Sequence, residues 1–188
     1  MDRYLNTVMF VSRNKDNKNI EGFKQRSMNF VSTKHPEELS GKFQEFVERG
    51  VEGEFSRFYI SVNTRDPEKV HKHLMHFLID HPDYPLDKME SKIASLADRT
   101  DCALTKKWLF DLDDMNMVEA YEFASDVIKA GEFESMESME IRRTVSGYSL
   151  VVPRGFDTRE VLSKYEDVSL KRDAMILVST RKKKKGDK

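Results

Sequence analysis

Apolar residues recur along this chain with two periods, and the alternation between the periods divides most of it into elements. NTVMFVSRN and FKQRSMNFVSTK are short runs rich in β-branched and aromatic residues, and the polar stretch NKDNKNIEG between them predicts a hairpin. In HPEELSGKFQEFVERG, Leu39, Phe43, Phe46 and Val47 recur at helical spacing, with Pro36 near the start and Gly50 as a stop. SRFYISVNT returns to period two, with Phe58, Ile60 and Val62 on one face and Arg57, Tyr59, Ser61 and Asn63 on the other. Asp66 and Pro67 then open a helix whose stripe is Val70, Leu74, Phe77 and Leu78, and Leu86, Met89, Ile93 and Leu96 predict another.

The most apolar stretch follows, in KKWLFDLDD. Read as a strand, it places Trp108, Phe110 and Leu112 on one face and Leu109, Asp111 and Asp113 on the other. MVEAYEFASDVIKAGEF predicts a helix ending near Gly131, and MEIRRTVSGYSLVVPR a strand kinked at Gly147 or a tight hairpin. DTREVLSKY predicts a short helix with Asp157 as N-cap, and VSLKRDAMILVST one last strand. The order points to an α+β fold, a mixed sheet with helices packed on one face. No repeat or linker divides it, so a single domain over 1–180 is expected, with a hairpin and helix over 1–54 and a disordered basic tail at 181–188.

Composition narrows the function classes. The 188 residues are enough to bury about 70% of the unfolded chain's surface without staples. The 32 Lys and Arg against 33 Asp and Glu leave no global field for a polyanion, so any such site is a local patch. A lone cysteine, Cys102, excludes an internal disulfide and suits a reducing, cytoplasmic setting. No apolar run approaches the length of about 18 residues that a membrane span needs, so no membrane partner is expected.

The carboxylates of KKWLFDLDD invite two readings. Asp111 and Asp113, at i and i+2 of a strand, point to one side with Cβ atoms about 6.5–7 Å apart, a spacing that suits Mg²⁺ or Mn²⁺, which take oxygen ligands and keep positions for substrate phosphates. Alternatively, Asp113 and Asp114 mark a strand end and cap the next helix. Asp111 favours the first, since a carboxylate inside an apolar strand is costly unless compensated.

WLFDLDD, TVSGYSLVVPRGFD and VSLKRDAMILVST, in this order, resemble the catalytic palm of the archaeo-eukaryotic primase superfamily, particularly its small phage-encoded members. The resemblance covers about residues 55–180 and implies an RRM-like palm with three motifs. Asp111 and Asp113 match the acidic D-x-D that binds divalent metals, and Asp173 matches the acidic residue of the third motif, so all three would be catalytic metal ligands. The second motif departs: the family has Gly-x-His, and this chain has Gly147, Tyr148 and Ser149. Ser149 retains a hydroxyl for a phosphate oxygen but not the charge of an imidazolium. The implied activity is metal-dependent nucleotidyl transfer onto DNA or RNA, with nucleotide, Mg²⁺ or Mn²⁺ bound.

Arg57, Arg65 and Lys171 are the candidates for triphosphate contact, and strand alternation places Lys171 on the side of Asp173. Tyr59 and Tyr148 are the candidates for base stacking. The RKKKK run suits either phosphate backbones or a solubilising end. His73 and His76, one turn apart, lack an H-E-x-x-H pattern and read as a solvated helix face. Two other functions stay open. One is a catalytically inactive module of the same fold that binds nucleic acid or protein. The other is a haloacid-dehalogenase-like phosphatase, because FDLDD also resembles that family's nucleophile loop.

Overall fold

The structure, a computed structural model, describes residues 5–184 and is α+β, with two antiparallel four-stranded sheets. The chain forms two compact units, residues 1–104 with 177–188 and residues 105–176, where the sequence pattern suggested one domain around one sheet.

In the first unit, β1 (Asn6–Ser12) and β2 (Arg26–Ser32) form the expected antiparallel hairpin. The helix α1 (Ser40–Glu48), led in by a 3-10 turn at Pro36–Leu39, connects β2 to β3 (Phe55–Ser61), which pairs with the other edge of β1. The sheet order is β2-β1-β3-β8, the last strand being β8 (Met175–Lys182).

Alternation sorts this sheet's side chains onto two buried faces. Phe10 meets Phe58 across the ladder at 5.0 Å between ring centroids and Phe43 of α1 at 5.1 Å, which gives the aromatic centre of one face. Val31 lies on the opposite face, against a cluster of Val70 from α2 (Pro67–Asp80) and Ala97 from α3 (Met89–Ala97), with Cys102 beyond them. Helices therefore cover both faces here. The amphipathic stripes read from the sequence did not tell which face each helix would take.

The second unit runs β4 (Trp108–Asp113), α4 (Met117–Gly131), β5 (Glu140–Arg143), β6 (Gly147–Val152), α5 (Arg159–Leu162) and β7 (Val168–Lys171), in sheet order β5-β6-β4-β7. The alternation read for β4 holds. Phe110 and Leu112 join Leu150 and Val152 of β6 in a core completed by Ala120, Phe123, Ala124 and Val127 of α4 and Val161 of α5, with Trp108 half-buried at its margin. All these packing helices lie on one face, so the opposite face carries the residues between: Leu109, Asp111 and Asp113 of β4, and Gly147, Ser149 and Val151 of β6.

Of the two forms expected for the 140–152 stretch, the hairpin is the one found, turning at 144–146. Three expectations are corrected. Neither Asp113 nor Asp114 caps α4: Asn116 does, accepting from the backbone N–H groups of Val118 and Glu119, while Asp114 sits at φ 58° in the turn before it. VSLKRDAMILVST is two strands belonging to different sheets, broken at 172–174, so Asp173 lies in a bend. Finally, Arg181 and Lys182 of the expected tail continue β8, and Lys183 exchanges backbone hydrogen bonds with Gly53 and Glu54 while its Nζ donates to the carbonyls of Glu48 and Gly50. Residues 185–188 of that tail lie outside the described residues.

Candidate functional site

The face of the second sheet opposite its helix-packed core is polar along one row. Asp111 lies opposite Ser149 of β6 in one ladder and opposite Ser169 of β7 in the other, and Arg142 of β5 lies opposite Ser149. Side chains directly opposite on one face stand about 4.5–5.5 Å apart at Cβ. The row thus places Ser169, Asp111, Ser149 and Arg142 side by side across four strands.

Two contacts fix the acids. Lys171, two residues along β7 from the partner of Asp111, reaches diagonally so that its Nζ donates to Asp111 Oδ2 at 2.5 Å. Asp113 Oδ1 accepts from the hydroxyl of Ser146, at the tip of the β5–β6 hairpin, at 3.0 Å. That hairpin is held against the end of β4 by backbone as well, the N–H of Asp114 donating to the carbonyl of Ser146 at 2.9 Å.

Gly147 explains how the approach is possible. It stands opposite Asp113, and a Cβ there would lie 2.1 Å from the backbone oxygen of Leu112 and 3.1 Å from the nitrogen of Asp114. Gly147 is therefore a close-packing position: it lets the hairpin lie tight against the strand that carries both acids.

Ser149 is the least ordinary member. It is 3% exposed, and its Oγ is buried with no hydrogen-bond partner. A buried hydroxyl left unpaired costs on the order of 1–3 kcal/mol. The expense falls directly opposite Asp111.

The remaining candidates divide. Lys171 joins Asp111, as the strand alternation implies for β7 alone, but the break after Lys171 removes the assumed continuity to Asp173. Asp173 is half-buried in its bend. Asp111, Asp113 and Asp173 do not bring their oxygens into one cluster: among the described residues, the one group of three or more potential ligands with atoms mutually within 4.8 Å lies elsewhere.

Arg57 and Arg65 belong to the first unit and are committed there. Arg57 forks onto Asp16, Nε to Oδ2 at 2.8 Å and Nη2 to Oδ1 at 2.5 Å, and the pair is mostly shielded from solvent. Burial works against the Asp16 carboxylate, but the hydrogen bonds from Arg57 and Arg13 prevail and hold its pKa below the ordinary value. Arg65 is 2% exposed, with Nη2 3.6 Å from Asp98 Oδ1. Burial of this depth shields the Arg65 side chain from solvent. Tyr148 packs into the second unit's core, not onto a stacking face.

Ser146 is the contact that the sequence reading missed. Its signal was present in the small-residue turn beside Gly147, but only the hairpin geometry shows that this hydroxyl reaches Asp113.

Comparison of the chain with protein-family models, curated proteins and solved structures finds no match in any of the three. No helix among the described residues is long and apolar enough to cross a membrane.

Proposed function

We propose that the second unit is a primase-like palm that binds a nucleoside triphosphate with a divalent metal on the sheet face bearing Asp111 and Asp113 and transfers nucleotidyl groups onto nucleic acid. The observation that carries this reading is the joint placement of Asp111 and Asp113 on the side of β4 opposite its helix-packed core, β4 being the first strand of a β-α-β-β-α-β unit with sheet order β5-β6-β4-β7. That order is the split-βαβ arrangement shared by RRM-like palms. The donor set fits a hard cation: two carboxylates on one face, with Ser149 and Ser169 as neutral oxygen neighbours.

Asp111 and Asp113 are the residues that would hold Mg²⁺ or Mn²⁺, which when bound supplies charge for the phosphoryl oxygens. This chain's own contribution is positional. Ser146 orients Asp113, Lys171 neutralises Asp111 in the absence of substrate, and the buried, unpaired Ser149 hydroxyl would reach a phosphate oxygen only if the face over it opens on binding. Asp173 keeps a role only if the bend at 172–174 brings it toward the acids on substrate binding.

One observation favours a second reading, a non-catalytic nucleic-acid-binding module. The Lys171 ammonium already balances Asp111 without any metal. The phosphatase reading is not carried further, because Asp111 lies inside a paired strand rather than in a nucleophile loop.

Binding of labelled single-stranded DNA and RNA, measured with Mg²⁺ and then with chelator at several salt concentrations, separates the two. The palm reading expects nucleotide binding and primer extension that require the metal. Nucleic-acid binding with a steep salt slope and no metal requirement overturns it in favour of the module.

A further inference from the structure

The first unit holds a cluster that neither reading uses. His73 of α2 and the adjacent Asp101 and Cys102, in the loop after α3, each offer one ligand atom within 4.8 Å of the other two. From the position of these three side chains we propose that they form a binding site for a thiophilic divalent cation, with Zn²⁺ as the natural occupant.

The donors are an imidazole, a carboxylate and a thiol, the mixed N, O and S set that selects zinc over Mg²⁺ or Ca²⁺. Tetrahedral zinc with bonds of about 2.0–2.3 Å sets its ligand atoms roughly 3.3–3.8 Å apart. His73 Nε2 and Asp101 Oδ2 are hydrogen-bonded at 2.7 Å, so a metal replaces the bridging proton by parting them by roughly 0.6–0.7 Å and drawing the sulfur inward. Loss of the thiol proton completes the exchange, giving a site of one thiolate, one carboxylate and one neutral imidazole around a dication.

The surroundings already orient these groups. Arg99 Nε holds the other carboxylate oxygen of Asp101 at 3.2 Å, which leaves Oδ2 for the site, and Lys69 Nζ holds the main-chain oxygen of Asp101 at 3.0 Å. The backbone of Cys102 is fixed on both sides, its N–H donating to Arg99 at 3.0 Å and its carbonyl accepting from Asp66 at 2.7 Å. Outer contacts of this kind position metal ligands.

Cys102 is 0% exposed, packed among Val70 and Ala97, so it is shielded from solvent as a nucleophile would not be. Asp101 is half-exposed and His73 partly so. A fourth position on the Asp101 side would be left to water, and the site ties α2 to the loop after α3.

The test is a Co²⁺ titration of the chelator-treated full-length chain, followed by displacement with Zn²⁺. One equivalent bound, with the intense near-ultraviolet absorption of thiolate-to-cobalt charge transfer, is expected. His73→Ala weakens binding at least about tenfold, Cys102→Ala abolishes the charge-transfer band, and His76→Ala, one turn away, changes nothing. The band itself reports sulfur ligation in the unaltered chain, so the outcome does not depend on Cys102→Ala folding. Absence of the band, or a band and affinity unchanged in His73→Ala, overturns the proposal.

Discussion

Lys171 Nζ lies 2.5 Å from Asp111 Oδ2, reaching diagonally across the β4–β7 ladder rather than from the directly opposed position, which Ser169 holds. The acid that would bind metal is thus charge-balanced by the same sheet. A lysine tethered by a flexible stem can turn from a carboxylate to a phosphate when substrate arrives, which a buried arginine fork cannot do as readily.

The consequence is a split phenotype for Lys171→Met. Removing the ammonium leaves Asp111 unbalanced, so Mn²⁺ alone should bind more tightly, by roughly twofold to fivefold given the modest worth of a half-exposed ion pair. Nucleoside triphosphate binding in the presence of metal should weaken. Calorimetry on the variant reads both, and an unchanged metal affinity would show that the pair does not guard the site.

Gly147→Ala should disturb the site through its backbone. The new Cβ would meet the Leu112 carbonyl at 2.1 Å, and that oxygen cannot swing aside as a side chain could. A loss of about 1–3 kcal/mol in chemical denaturation is expected, with faster amide exchange at residues 112–114. A variant as stable as the parent would mean that the hairpin shifts freely, and that Ser146 is not held on Asp113.

Asp16 gives the first unit an acid-sensitive element. Its folded pKa lies below the ordinary value because the hydrogen bonds of Arg57 and Arg13 outweigh its burial. A depressed carboxylate contributes stability that is fully present above the unfolded pKa, near about 3.9, and is lost as pH falls through the folded one. Asp16→Asn should therefore lower stability at neutral pH and flatten its acid limb. A parallel pair of stability curves for parent and variant between neutral and acid pH would contradict this.

Much of the local structure was legible because the two hydrophobic periods differ so clearly. The β1–β2 hairpin, the helix α2 behind Asp66 and Pro67, and the inward row Trp108, Phe110 and Leu112 all follow from spacing alone. So did the side shared by Asp111 and Asp113. What spacing could not show was where one apolar strand ended and another began: VSLK and MILVSTRK are both β-rich, and only the change of sheet exposes the break at 172–174. The same limit hid the two-unit division, since no Gly- or Pro-rich linker marks it. The commitment of Arg57 was hidden for a different reason. Sequence reveals a cation's strand but not that Asp16, from a turn 41 residues away, already claims it.

His73, Asp101 and Cys102 were equally hidden, because their ligand atoms meet through a helix and a loop 28 residues apart. The helix-face histidines drew attention to His76 as the partner of His73, while the carboxylate and thiol that do lie beside it carry no spacing motif.

The most direct measurement is a calorimetric titration of Mn²⁺ with a nucleoside triphosphate into the parent chain and into Asp111→Asn, with circular dichroism as the control for folding. The palm reading predicts metal-dependent nucleotide binding in the parent that is lost in the folded variant. Absence of binding in the parent, or equal binding in both, would contradict it.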